Sequence, residues 1–254
     1  MASPLDIYFS AIADAAEAAV GVPLGDGTVV APEADRAGGG SATSYPTPRG
    51  TVIWCDPALV DTLSALLTDA ADGALDSERF ASLAVDAGAS VLGFGRNRVL
   101  EGPLQSPRAL PGAVSVQLLD RDEAGDVALL AELAAASSDD DLDEADLDLD
   151  NLDPFYAGLI EDGRLVAYAC GRPSEIDERF DDIGVLVHPG YRQRGLGASA
   201  VAAFVERRQA ADPSRLMLYR CTTENAGSNA VSESLGFTLA HTIGAVRFPE
   251  FATG

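Results

Sequence analysis

The stretch that decides the fold runs from Gly184 to Ala198 and reads GVLVHPGYRQRGLGA. Its first residues are apolar, as in a buried strand, and Pro189 ends that strand because proline has no N–H to give to a sheet. Glycine-rich sequence follows, and an apolar-faced helix then begins at about Gly195. Glycines let a ligand approach the main chain, and the first turn of a helix presents free N–H groups at the positive end of its dipole. We therefore predict a strand, an anion-binding loop and a helix in that order.

Two arginines of this loop, Arg192 and Arg194, would add cations beside the free amides, which is the usual composition of a diphosphate site. The glycines also match the dinucleotide-binding pattern G-x-G-x-x-A. In that fold the glycines follow the strand directly, whereas seven residues, 188–194, intervene here, and no carboxylate lies about 20 residues on at the end of the next strand. A diphosphate site and a purely structural glycine-rich turn are the alternatives that the loop leaves open.

The charge of the chain excludes several classes of function. Its 254 residues contain 17 arginines, no lysine and 40 acidic residues, for a formal net charge of −23. Without lysine there is no Schiff-base chemistry, no pyridoxal phosphate attachment and no P-loop of the GKS or GKT kind. The acidity also disfavours phosphate backbones and anionic lipids, so we expect no nucleic acid and no membrane partner. Cationic partners are the better expectation, although acidity alone also serves solubility.

Cysteine usage and the first residues indicate the compartment. The three cysteines, Cys55, Cys170 and Cys221, are odd in number and widely spaced, which fits neither a disulfide framework nor a metal site. The N-terminal sequence lacks a cationic stretch before its apolar residues and leads into no run of 18 apolar residues. We expect a cytoplasmic protein without a metal ion. Its oligomeric state, monomer or homodimer, stays open.

The first part of the chain has no chemical motif. Residues 4–20 follow a helical pattern, and residues 36–50 form a Gly, Ser, Thr and Pro cluster typical of a loop. A strand at 51–55, helices from Pro57 and at 77–87, and a strand near 91–94 complete it. A Pro-containing stretch at 102–112 is the best linker candidate. We therefore predict two domains, residues 1–110 and residues 111–254.

The second part alternates strands and helices, which predicts an α/β or α+β domain with a mostly antiparallel sheet at its start. Asp162-Gly163 between two apolar runs indicates a hairpin, because this dipeptide tolerates the positive φ angles of a tight turn. The predicted strands lie at 113–119, 155–160, 164–170, 183–187, 215–221 and 237–248, and the predicted helices at 121–136, 195–209 and 225–235.

An acidic segment precedes the hairpin, with nine carboxylates in the fifteen residues from Asp139. An EF-hand is excluded, because the sixth loop position counted from Asp141 is Asp146 rather than Gly. Leu142, Ala145, Leu149 and Leu152 are spaced so that one apolar stripe could dock a short helix. The segment is either a solvated charge run or an acidic rim that attracts an amine.

Two motifs taken together resemble the acetyl-coenzyme A motif of the GNAT superfamily of N-acetyltransferases. The family pattern Q/R-x-x-G-x-G/A is matched by Arg192, Gln193, Arg194, Gly195, Leu196 and Gly197. About 30 residues further on, Asn225 and Ser228 match an N-x-x-S helix that ends in the Leu-Gly-Phe of residues 235–237. The resemblance covers residues 112–254. It implies a GNAT-like mixed, mostly antiparallel twisted sheet flanked by helices, preceded here by a smaller α/β domain of unknown role, either a degenerate copy of the same fold or a helper domain.

The resemblance also implies how the carrier is held. The strand before the loop splays from its neighbour, and its exposed main chain, here Leu186 and Val187, pairs with the pantetheine arm. The loop amides from Gln193 to Ala198 hold the diphosphate. Asn225 and Ser228 lie beside the pantetheine near the thioester. Acetyl-CoA would be the co-substrate.

Catalysis in such a protein is direct attack of a neutral amine on the thioester, which requires a base to deprotonate the ammonium. The resemblance implies a carboxylate near the start of the strand before the motif, where Asp181 and Asp182 lie on opposite faces. Asp181 shares the face of residues 183, 185 and 187 and is the first choice. Many family members place a tyrosine acid three residues before the Leu-Gly-Phe, and this chain has Ser232 there. Tyr219 or Tyr191 could substitute.

We therefore expect an N-acetyltransferase that moves the acetyl group of acetyl-CoA to a primary amine. The acidic segment favours a cationic small molecule or a protein amino group as the acceptor. The alternative is a non-catalytic CoA-binding or protein-binding module with an acidic interaction surface, which the serine at position 232 would suit.

Overall fold

The computed structural model describes residues 2–68, 75–110, 112–145, 147–149 and 156–252. The chain divides into two compact units. The first comprises Met1–Asn97 together with Leu239–Gly254, and the second comprises Arg98–Thr238. This division differs from the predicted domains 1–110 and 111–254 in giving the end of the chain to the N-terminal unit. The two predicted domains remain a prediction about what folds independently.

The first unit is built from strands and helices in an α/β arrangement. Its strands lie in the order β1-β3-β2-β10-β4, with β1 and β3 parallel and β2 antiparallel to both β3 and β10. An apolar cluster around Ile53, Leu63 and Phe80 joins its strands to its helices. The elements are α1 (Pro4–Val20), β1 (Thr28–Pro32), β2 (Gly39–Thr47), β3 (Gly50–Cys55), α2 (Val60–Thr68), α3 (Ser77–Asp86), β4 (Ser90–Val99) and β10 (Thr238–Ala252).

The predicted loop at 36–50 is wrong, because most of it is strand β2. Its Gly and Pro residues have low strand propensity, but β2 has hydrogen-bonded neighbours on both sides. A central position in a sheet satisfies the backbone on both edges and outweighs local preference. Gly40 is needed there, since a Cβ at this positive φ would lie 2.6 Å from the carbonyl oxygen of Phe248.

The second unit contains the remaining strands in the order β9-β8-β7-β6-β5. All neighbouring pairs are antiparallel except β8 and β9, which are parallel. The predicted hairpin is confirmed between β6 and β7, where Asp162 and Gly163 have φ angles of 52° and 76°. The elements are β5 (Val114–Leu119), α4 (Ala124–Ala135), α5 (Asp139–Glu144), β6 (Tyr156–Glu161), β7 (Arg164–Pro173), β8 (Phe180–Val187), α6 (Leu196–Ala211), β9 (Leu216–Thr222) and α7 (Ala226–Ser234).

Helices cover both faces of this sheet. Alternate strand residues such as Ile183 and Leu159 pack with α6, in a cluster that includes Val201 and Phe204. The intervening residues, among them Leu186, pack with α4 and the end of α5. The predicted fold class, a mixed and mostly antiparallel sheet flanked by helices, is confirmed. The side chains of β8 are therefore divided between an α6 face and an α5 face.

The predicted linker is packed rather than free where the structure describes it. Gln105 donates its main-chain N–H to the carbonyl oxygen of Leu235 at 3.0 Å, and Leu104 and Leu110 pack against the α6-side core of the second unit. The three cysteines are all buried and carry thiol side chains. Among the described helices, none combines the length and the apolar character that a membrane crossing requires.

A buried histidine organises the polar interior of the first unit. His241 is 6% exposed, and its Nδ1 lies 2.6 Å from the carbonyl oxygen of Pro46, so this nitrogen carries the proton. Its Nε2 then accepts from the side-chain amide of Asn97 at 3.1 Å, with the Tyr8 hydroxyl 3.3 Å away. Burial lowers the pKa of His241 to about 4, partly offset by the hydrogen bond to Pro46. The ring is therefore neutral in the folded protein at neutral pH.

This histidine makes stability depend on pH. Because the folded pKa lies below the unfolded value of about 6.5, the unfolded chain binds the proton first, and stability is lost as the pH falls from about 6.5 towards 4. We predict that the free energy of unfolding of the wild type, relative to His241→Gln, falls by about 2–3 kcal/mol between pH 7 and 4.5. Urea denaturation of both proteins at each pH measures it, and a difference that stays constant with pH would contradict it.

Candidate functional site

Strands β8 and β9 separate shortly after they begin. They pair in parallel at only three positions, of which the last joins Asp182 to Leu218. Both strands continue, β8 to Val187 and β9 to Thr222, with no further pairing between them in residues 156–252, all of which the structure describes. We call the gap between residues 183–187 and 219–222 the opening. The splay that the resemblance implied is therefore present, and it leaves the facing main chain of both strands without a sheet partner.

The predicted anion-binding loop lies at the end of β8. Gln193 and Gly195 have left-handed φ angles of 63° and 80°, and α6 begins directly afterwards. The first helical hydrogen bond runs from Ser199 N to Gly195 O at 3.2 Å, and no side chain caps this end of the helix within the described residues. The N–H groups of residues 196–198 thus lack intrahelical partners. Together with the helix dipole they form a ready site for an anion.

The first turn of α6 packs closely against β8 and α7 because Gly197 has no side chain. A Cβ on Gly197 would lie 3.2 Å from Val231 of α7 and 3.3 Å from Val187 of β8, so glycine permits this close packing. Val187 faces the α6 side, and Leu186 is buried on the α5 side. Both predicted pantetheine-binding residues therefore line the edge of the opening with their main chain.

Both loop arginines already pair with carboxylates of the chain. Arg194 forms a bidentate ion pair with Glu161 at the end of β6, with N–O distances of 2.9 and 2.7 Å. The Arg194 guanidinium carbon also lies 5.1 Å from the centre of the Tyr191 ring. Hydrogen bonds from Arg194 lower the pKa of Glu161. Arg192 Nη2 lies 2.7 Å from Asp141 Oδ1 of α5. Sequence reasoning missed Glu161, because nothing in the local pattern links a hairpin residue to a loop 33 positions away.

Helix α7 brings Asn225 and Ser228 together at its first turn. Asn225 caps the helix by accepting from the main-chain N–H of Ser228 at 2.9 Å. Its amide nitrogen donates to Glu144 of α5 at 2.9 Å, and the Thr222 hydroxyl donates to the same carboxylate at 2.9 Å. The Ser232 hydroxyl donates to main-chain carbonyls of its own helix and is fully buried. The Ser232 hydroxyl is therefore hydrogen-bonded within α7.

The two predicted carboxylates have different surroundings. Asp181 is 1% exposed on the α6 face, with Oδ2 2.7 Å from Arg208 Nε and Oδ1 in contact with Arg215. Each of its oxygens therefore lies within ion-pair distance of a guanidinium group, although the contact between Oδ2 and Arg208 does not have hydrogen-bond geometry. Asp182 lies on the α5 face at the last paired position before the opening, where it accepts from Arg220 Nε at 2.6 Å.

Tyr219 is the first residue of β9 beyond the paired region. It is 1% exposed and packs edge-on against Phe237, with ring centres 5.6 Å apart. The Ser228 hydroxyl lies close enough to the Tyr219 hydroxyl to lower its pKa, but the two do not form a well-aligned hydrogen bond. Burial raises the pKa of Tyr219, so the phenol stays protonated. A buried hydroxyl whose only polar neighbour falls short of hydrogen-bond geometry is unusual in a folded protein, which marks this hydroxyl as a candidate functional group.

The sequence and the fold agree with known acetyltransferases. Residues 126–237 match the model of the Acetyltransferase (GNAT) family. A GCN5-related N-acetyltransferase from Sphaerobacter thermophilus has a similar fold, with a TM-score of 0.50, 12% identity, and coverage of 82% of this chain and 76% of that chain. A comparison with curated proteins gave no match.

Two other solved structures are similar over shorter lengths. A putative acetyltransferase of the GNAT family from Novosphingobium aromaticivorans gives a TM-score of 0.44 with 22% identity over 63% of this chain. A GCN5-related N-acetyltransferase from Kribbella flavida gives 0.47 with 20% identity over 66% of this chain. This chain spans 66% and 63% of their lengths, slightly less than two thirds. The family match and the split sheet identify residues 126–237 as a GNAT domain, as predicted from the two motifs.

The surroundings of Asp181 lead to a stability prediction. Asp181→Asn removes the buried carboxylate that two largely buried arginines share, so we expect a loss of about 3 kcal/mol in the free energy of unfolding. Asp182→Asn is the matched control, because it changes the adjacent residue on the other face and should cost less than about 1 kcal/mol. Urea denaturation of both variants measures the difference, and equal losses would contradict a structural role for Asp181.

Proposed function

We propose that this protein is an acetyl-CoA-dependent N-acetyltransferase that moves an acetyl group to a primary amine. The observation that carries the proposal is the opening between β8 and β9 directly beside an uncapped helix N-terminus. A diphosphate would accept from the amides of residues 193–198, and the pantetheine arm would extend along residues 186 and 187. Asn225 and Ser228 would lie on the other side of the arm. A Cβ on Gly195 would lie at ordinary contact distance, 4.0 Å, from the Cβ of Arg108.

The transfer is direct attack of the amine nitrogen on the thioester carbonyl, which forms the amide C–N bond and breaks the C–S bond. The amine must first lose its proton. We assign this step to Asp182, directly or through a water molecule. Asp182 lies where the opening begins and pairs with Arg220 at a partly exposed position, whereas Asp181 is buried between two arginines. Asp181 and Ser232, the other two predicted catalytic residues, then serve the structure of the site.

The departing sulfur carries the electron pair of the broken bond and needs a donor. Tyr219 supplies a protonated hydroxyl next to Ser228, and the hydroxyl of Ser232 is already bonded within its helix. We therefore propose that the Tyr219 hydroxyl donates a hydrogen bond to the leaving thiolate. A donor hydrogen bond to an anion is worth about 1.5–3 kcal/mol.

The acceptor is a cationic amine, either a small molecule or a protein amino group. Support comes from the net charge of −23 and from the five carboxylates in the six residues of α5 next to the opening. We propose a cytoplasmic location and no metal requirement. In the described residues no cluster of three His, Cys, Asp or Glu side chains is arranged to hold a metal ion.

Measuring acetyl-CoA binding tests the first requirement of the proposed function, which is that the protein binds this carrier. Gly195→Glu places a side chain and a negative charge on the amide site and should abolish acetyl-CoA binding in calorimetry. Gly163→Glu is the matched control, because Gly163 is also exposed with a φ of 76° but lies in the β6–β7 hairpin. It should bind like the wild type. No binding by the wild type at millimolar acetyl-CoA would reject the proposed function.

The role of Tyr219 is tested without knowing the acceptor. At a pH above the pKa of the CoA thiol, where the bound sulfur is a thiolate, Tyr219→Phe should bind CoA about tenfold more weakly than the wild type. Binding of desulfo-CoA, which lacks the sulfur, should not change. An equal loss for both ligands would assign Tyr219 to packing.

A binding module without catalysis is the second candidate. It is favoured because Asp181 pairs with two arginines and the Ser232 hydroxyl is hydrogen-bonded within its own helix. Two of the predicted catalytic groups therefore have structural contacts instead. A thiol-release assay with acetyl-CoA and a panel of polyamines, amino sugars and peptides separates the two functions. Turnover with any acceptor eliminates the second candidate.

A further inference from the structure

The acidic helix α5 contacts both sides of the opening through two carboxylates. Asp141 pairs with Arg192 on the loop that follows β8, at 2.7 Å. Glu144 accepts from Thr222 at the end of β9 and from Asn225 at the start of α7, both at 2.9 Å. The two carboxylates are three residues apart, so they project from the same side of the helix. One short helix thus bridges the two segments that flank the opening.

This helix is seated by specific packing and is not a loose run of charges. Ser138 and Asp141 form a reciprocal capping box at its first turn. At its end, Ala145 is buried, and a Cβ on Gly184 of β8 would lie 2.3 Å from the Ala145 carbonyl oxygen. Leu142 packs against the core on this side of the sheet. The positions of Asp141 and Glu144 therefore follow from how α5 is built.

The groups that α5 engages are the ones assigned above to the carrier. A guanidinium group binds a carboxylate and a diphosphate through the same N–H donors. The Asn225 amide, which would face the pantetheine, donates to Glu144 instead. Burial acts to raise the pKa of Asp141, but hydrogen bonds from Arg192 and Ser138 outweigh it and the pKa is lowered. Asp141 is therefore an anion at neutral pH and opposes an incoming diphosphate.

We propose that α5 is an anionic latch on the carrier site. Asp141 and Glu144 hold Arg192 and Asn225 until the carrier displaces both carboxylates, so that carrier binding includes release of α5 from these two residues. The inference rests on the proposed function, since it requires that the opening takes acetyl-CoA. It assigns the acidic segment a role in regulating access to the site, in addition to attracting the acceptor.

Neutralising the latch should tighten carrier binding. Both pairs are partly exposed, and such ion pairs and charged hydrogen bonds contribute little each, so we expect Asp141→Asn/Glu144→Gln to bind CoA about five- to tenfold more tightly than its control. The control is Asp139→Asn/Asp140→Asn, which removes the same charge from exposed positions of the same helix. The change Asp141→Asn keeps a side-chain oxygen that can accept from Ser138, so the first turn of α5 retains its capping contact.

Calorimetry with CoA at one fixed salt concentration compares the wild type and both double variants. Equal or weaker binding by the latch variant relative to the control overturns the latch and leaves the proposed function intact. Absence of CoA binding in all three proteins overturns both. Amide hydrogen exchange of the wild type gives a second measurement that needs no variant. Exchange at residues 141–145 should accelerate on saturation with CoA, and unchanged or slower exchange would overturn the latch.

Discussion

The limited pairing of β8 with β9 is the constraint on which the site depends. Three register positions hold the two parallel strands together, and beyond them each strand keeps an edge without a partner in the other. Unpaired backbone groups are costly when buried, so this gap is stable only where other groups or a ligand satisfy them. The loop after β8 and the uncapped start of α6 lie at the same end. The strands thus offer hydrogen bonds to an extended arm, and the helix offers amides to an anion.

The arginines around the opening are paired with carboxylates of this very acidic chain. Both arginines of the loop contact carboxylates of the chain, Glu161 and Asp141, rather than solvent alone. The buried Asp181 in turn compensates Arg208 and Arg215 on the α6 face. In the proposed carrier site, anion binding would therefore depend first on main-chain amides, whose positions are fixed by the fold. The arginine charges are shared with acids, so the proposed latch would lower the affinity for an anionic carrier.

Much of the fold and of the carrier loop could be predicted from the sequence because those features are local. The glycine pattern at 193–197, the Asp162-Gly163 turn and the helix that follows Asn225 are each encoded within a few residues. Strand β2 was missed because its stability comes from neighbours on both sides, which the composition of residues 36–50 does not reveal.

The surroundings of the proposed catalytic side chains could not be predicted, because the residues that contact them are distant in sequence. The two arginines that hold Asp181 follow it by 27 and 34 positions, and Glu144 meets Asn225 across 81. Periodicity places such residues on a face but does not say which charges meet there. The N-x-x-S motif located Asn225 and Ser228, whereas only the tertiary structure shows that the hydroxyl of Tyr219 is buried near Ser228.

A crystal structure of the protein with CoA tests the central claim most directly. The account predicts the diphosphate within hydrogen-bonding distance of the amides of residues 193–198, with the pantetheine arm between β8 and β9 and its sulfur facing the opening. A complex in which the strands close on each other, or in which protein side chains fill the gap and CoA binds elsewhere, would contradict it.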